Sequence, residues 1–76
     1  MNSNRITKEE AEKLDRIAVK MHSAVDTFIS ENTTFTTKSN QQASKRARVA
    51  SIKLTNLAKK YRRESMIIVS KLPTKD

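Results

Sequence analysis

An all-α fold, an antiparallel hairpin of two long helices that dimerises into a four-helix bundle, is predicted by three features of this sequence. Apolar residues recur at alternating steps of three and four in two separate stretches, the rhythm of helices packed side by side. A threonine-rich run divides the stretches, and strand-like alternation is absent outside one short apolar run near residue 67. Finally, a chain of 76 residues with 4% aromatics and no Trp buries only about 60% of its unfolded surface when it folds alone. A second copy is the natural supplement.

Helix 1 is expected over about residues 8–31. Thr7 and Glu10 stand at capping-box spacing, Ile6 and Ala11 occupy the hydrophobic-staple positions, and Glu9, Glu10 and Glu12 suit the positive end of the helix dipole. Its seam is read as Ala11, Leu14, Ala18, Met21, Val25 and Phe28, with Ile17, Ala24 and Ile29 widening the stripe. Residues 32–40, which hold Thr33, Thr34, Thr36 and Thr37, read as the connecting loop, because β-branched hydroxyl residues disfavour a helix interior.

Helix 2 is expected over about residues 41–70, started by Ser39 with Gln42 or by Asn40 as an alternative cap. Its seam is Ala43, Ala47, Ala50, Leu54, Leu57, Tyr61 and Ile68, small near the loop and larger further on. That gradient implies close backbone approach beside the loop. The run Met66-Ile67-Ile68-Val69 reads as a buried helix end or a short extended contact, Pro73 ends regular structure, and residues 73–76 read as a flexible tail. Residues 1–72 are thus expected to form one domain.

Charge is divided unevenly. Of the net +8, residues 1–37 contribute five basic groups against six acids, a net of −1, and residues 38–76 contribute eleven basic groups against Glu64 and Asp76, a net of +9. Arg46, Lys53 and Lys60 repeat every seven residues on one flank of helix 2, Arg48 and Arg62 stand on the other, and Lys45, Lys59 and Arg63 lie further out. Such a helix presents cations over about 25 Å, the length of roughly 17 helical residues. Point charges and guanidinium forks at that spacing suit successive phosphates. Even full pairing with the helix 1 acids leaves a large positive excess, which calls for a polyanionic partner. These eight residues are the candidate nucleic-acid contacts, with DNA preferred to RNA and no base specificity implied.

Other chemistry finds little support. With no Cys and a single histidine, His22, neither thiolate nor histidine clusters can form a metal site, and no cofactor is expected. Ser51 and Ser65 have no histidine partner in the pattern and no carboxylate pair sits in a cleft, so an enzyme is not expected. Phe35 reads as a plug for the open end of the hairpin rather than a wedge between bases, and Tyr61 as a packed seam ring. No apolar run approaches a membrane span, and the bulky aromatics of an interfacial membrane helix are missing.

The stretch Asn40 to Met66, NQQASKRARVASIKLTNLAKKYRRESM, resembles the N-terminal helical region of the linker-histone-like nucleoid proteins of chlamydiae and their short relatives in other bacteria. Asn40, Ala43, Arg46, Arg48, Ser51, Ile52, Lys53, Leu54, Ala58, Lys59, Tyr61, Arg62, Glu64 and Ser65 carry the resemblance. It implies a cytoplasmic, nucleoid-associated, histone-like role in which a self-associating helical segment is joined to cationic DNA binding. Members of that family continue into a Lys- and Ala-rich tail, whereas here only Lys71 and Lys75 follow. DNA contact is therefore expected on helix 2 itself. The competing expectation is a helical adaptor or inhibitor that docks on an acidic protein.

Overall fold

The structure is a computed structural model that describes residues 6–72. Two helices, α1 (Lys8–Lys38) and α2 (Gln41–Lys71), run antiparallel as a rod of 57 × 18 × 17 Å, and the described residues contain no strand. The expected tail at residues 73–76 lies outside the described residues.

The start of α1 is the capping box that the sequence spells. Glu10 N–H donates to Thr7 Oγ1 at 3.1 Å, and Thr7 N–H donates to Glu10 Oε1 at 3.0 Å, which satisfies two of the amides a helix start leaves unpaired. At the start of α2, Asn40 is the cap, its Oδ1 accepting from Ala43 N–H at 3.0 Å. Ser39 instead closes α1, in the left-handed region at φ 51°, ψ 37°. The chain has no glycine to take this position, so a serine bears the steric cost of the turn.

The loop expected at residues 32–40 is a correction. α1 continues to Lys38 and leaves only Ser39 and Asn40 as the connection. The threonines are accommodated because their hydroxyls bond back to their own helix. Thr37 Oγ1 donates to the Thr33 carbonyl at 2.7 Å, Thr34 to Ser30 at 3.2 Å and Thr36 to Thr33 at 3.3 Å. Phe35 accordingly sits on the last turns of α1, part-exposed, rather than in a loop.

The seam of α1 is also shifted. Ile17 and Ala24, read as its margin, are the two residues α1 buries, while Ala18, read as seam, is exposed. The inner row is Glu10, Leu14, Ile17, Met21, Ala24, Phe28 and Glu31, again in steps of four and three. On α2 most of the expected row holds: Ala43, Ala47, Ala50 and Ile68 are buried and Leu54 and Leu57 are half-buried, with Glu64 filling a further turn, whereas Tyr61 is 38% exposed. Met66-Ile67-Ile68-Val69 is helical, and only Ile68 of the four is buried. Four of the six buried residues are alanines, and no large side chain is fully enclosed. Small side chains at Ala43, Ala47 and Ala50 leave room for close backbone approach beside the two-residue connection.

Candidate nucleic-acid interface

Three ion pairs join the helices, and each acid occupies the inner row. Lys13 Nζ lies 2.9 Å from Glu64 Oε1, Arg46 Nε lies 2.9 Å from Glu31 Oε1, and Lys71 Nζ lies 3.6 Å from Glu10 Oε2. The carboxylates are the sheltered partners, with side chains 20–24% exposed, whereas the cations remain 50–64% exposed. The lysine and arginine stems cover the seam and leave their charge in water.

Two of these acids are held ionised below the ordinary glutamate range. For Glu10 the leading cause is the hydrogen bond from the Thr7 amide, aided by the Thr7 hydroxyl and by Lys71. For Glu64 it is the hydrogen bond from Lys13, followed by the charges of Lys13, Arg63 and Lys60. Desolvation opposes the shift at both sites. Glu64 therefore stands among cations from both helices.

The eight residues expected at a nucleic-acid surface, Lys45, Arg46, Arg48, Lys53, Lys59, Lys60, Arg62 and Arg63, all lie exposed on α2. Arg46 is engaged with Glu31, and Arg48 Nη1 donates to Ser44 Oγ at 2.9 Å. The other six make no ion pair among the described residues. Lys53 and Arg46 also rim a shallow groove between the helices, with Ala24, Thr27, Val49 and Ala50 among its lining. Tyr61, expected as a packed seam ring, is 38% exposed.

Two features escaped the sequence reading. The first is that Lys13 of α1 joins this surface, set against Glu64 beside Lys60. The signal was present as position: Lys13 and Lys20 are one heptad apart, as Arg46, Lys53 and Lys60 are. The second is the opposite flank, where Ser44, Ser51, Ala58 and Ser65 form a half-buried row of small side chains. Ser51 Oγ donates to the Arg48 carbonyl at 2.8 Å and Ser65 Oγ to the Arg62 carbonyl at 3.1 Å, so both hydroxyls turn onto their own helix. Beside that row run Ala11, Ala18 and Val25 of α1.

His22 pairs with Asp26 at 3.6 Å on the exposed side of α1, and the described residues hold no group of three or more potential metal ligands. No helix of the described residues is long and apolar enough to cross a membrane.

A search of the curated proteins and of the solved structures returns no match. A protein-family model does match, that of the histone H1-like protein Hc1, over residues 17–71. That span runs from the buried Ile17 of α1 through the turn to the end of α2, and so takes in the whole basic helix and most of its packing partner. The match covers well over half of the chain, which therefore belongs to the histone H1-like protein Hc1 family.

Proposed function

We infer that this protein binds DNA without base specificity through the exposed cations of α2, and that it does so as a homodimer that helps to organise a bacterial nucleoid. Membership of a histone H1-like family supports the DNA-binding class and the nucleoid setting. The observation that carries the assignment of contacts is the division of labour among charges. The sheltered inner-row acids Glu10, Glu31 and Glu64 take up Lys71, Arg46 and Lys13, while Lys45, Lys53, Lys59, Lys60, Arg62 and Arg63 have no acidic partner among the described residues. An uncompensated surface of this kind gains free energy by releasing the counterions condensed on DNA phosphates.

Self-association is supported by what the hairpin leaves uncovered. A core made largely of alanine contributes little burial, and large apolar residues such as Phe28 and Ile29 stay exposed. The stripe Ala11, Leu14, Ala18, Met21, Val25 and Phe28 keeps a second seam rhythm on α1 that shares Leu14, Met21 and Phe28 with the row that meets α2 and adds Ala11, Ala18 and Val25 on its flank. Covered by a second hairpin, it completes a four-helix bundle.

A salt titration of binding to a random-sequence duplex tests the reading, with light scattering to report the oligomer. The native chain is compared with a variant carrying Gln at Arg46, Arg48, Lys59 and Arg62. A log–log slope of several units, reduced in the variant while the dimer persists, is the expected result. Binding that ignores salt, or is the same in both chains, overturns it and turns attention to an acidic protein partner.

A further inference from the structure

We propose that the DNA surface is built by both helices, with Lys20 of α1 as a phosphate contact that belongs to the same face as Lys53 and Lys60 of α2. This rests on the DNA-binding reading above and adds a contact from the helix whose charge sums to almost nothing.

The placement follows from the packing. Glu64 is approached by Lys13 from α1 and by the fields of Lys60 and Arg63 from α2, so the Lys13 flank and the Lys60 flank open to the same side. At the other end of the rod, Arg46 reaches Glu31 and shares a groove with Thr27 of α1 and Lys53 of α2, which puts Thr27 on that side as well. Lys13, Lys20 and Thr27 are successive heptad equivalents, so Lys20 falls between two residues whose side is fixed.

The charges of α1 are sorted accordingly. Glu10 and Glu31 are committed to ion pairs and Asp26 to His22; Glu12 and Asp15 line the same surface depression as Lys20, yet neither they nor Glu9 form an ion pair with it, and Lys20 is exposed with no ion pair among the described residues. Lys13 neutralises Glu64, and of the α1 cations that make no ion pair among the described residues, Lys8, Arg16, Lys20 and Lys38, Lys20 is the one in heptad register with Lys13 and Thr27. It stands level with the interval between Lys53 and Lys60, given the antiparallel pairing of Lys13 with Glu64 and of Glu31 with Arg46. Successive heptad cations are about 10.5 Å apart along α2, and the helix axes are about 8–10 Å apart. Lys20 therefore adds a second row to a strip that α2 alone would leave one residue wide. A duplex presents phosphates on two strands, and a two-row surface engages both.

The test uses the full chain with Lys20→Gln, and with Lys8→Gln as a control that removes one charge from α1 in a different row. Binding to a random-sequence duplex is followed by fluorescence anisotropy across a salt series, and circular dichroism confirms that each variant keeps its helices. Lys20→Gln is expected to lower the salt slope by about 0.9 and to weaken binding several-fold; Lys20→Arg restores both, and Lys8→Gln leaves both near the native values. A native chain that binds with a steep slope, beside a Lys20→Gln chain with the same slope and affinity, overturns the two-helix surface and leaves α2 as sole contact. A native chain that does not bind overturns the DNA reading itself.

Discussion

Arg46 Nε sits 2.9 Å from Glu31 Oε1, so a residue on the proposed DNA surface is also a clasp between the helices, one turn from the alanines that let the helices approach. DNA and Glu31 compete for the same guanidinium. Glu31→Gln is expected to release Arg46 toward phosphate, raising duplex affinity a few-fold and the salt slope by about 0.9. The change in stability should be small, about 0–1 kcal/mol, because the pair is largely exposed on the arginine side. Anisotropy across a salt series with a parallel urea melt separates the two effects.

Ala18 is exposed in the single hairpin yet central to the stripe assigned to a second copy. Ala18→Glu is therefore expected to leave helix content intact while shifting light scattering from dimer to monomer. Unchanged mass in the variant would place the dimer contact elsewhere.

Ala47 is buried on the inner row of α2, where the helices come close beside the two-residue turn. Ala47→Leu is expected to cost about 1–3 kcal/mol by overpacking. Val49→Leu, two positions on but 66% exposed, should cost almost nothing. Denaturant midpoints at equal protein concentration read the difference.

Glu10 and Glu64 lose their protons more readily in the hairpin than in the unfolded chain, since Thr7 and Lys13 respectively favour the charged forms. Their contribution is thus complete above the ordinary glutamate pKa, near 4.3, and is lost as pH falls through the lower folded values. Thermal melts from pH 6 down to 3 should show a falling midpoint, and Glu10→Gln with Glu64→Gln should flatten that dependence. A midpoint in the double variant that still falls as steeply as in the native chain would assign the acid sensitivity to other groups.

The parts of the fold that were legible in the sequence are those where one local signal had no rival. Thr7 with Glu10 marked the first turn of α1, and three alanines at steps of four and three fixed the α2 seam. The end of α1 was hidden because threonine propensity favours a break, while the hydroxyl bonds at Thr34, Thr36 and Thr37 that cancel it arise only once the helix has formed. The α1 seam was misread for a different reason. Leu14, Met21 and Phe28 belong to two overlapping rhythms, one completed by Ala11, Ala18 and Val25 and the other by Ile17, Ala24 and two glutamates. An apolar count selects the first rhythm and discards Glu10 and Glu31, although a carboxylate covered by a cation from the facing helix can fill an inner turn. For the proposed DNA surface, the α2 cations stand out in the sequence as a charge pattern, whereas Lys13 and Lys20 are proposed to join them only through the antiparallel register.

The turn at Ser39 and Asn40 also dictates an order of assembly. Partners across the hairpin are laid out like rungs, and those beside the turn close the shortest stretches of chain, which makes them the least costly in entropy to pair first. The first rungs are alanines, which gain little as they close; the rewarding contacts of Met21, Leu54 and Leu57 arrive only after several weak steps. The contacts near the turn thus add less than those at the middle of the rod, and the far end of the hairpin is closed by Ile68 and the Glu10–Lys71 pair. Amide exchange should be slowest around Met21 and Leu57 and quicken toward the free ends of both helices.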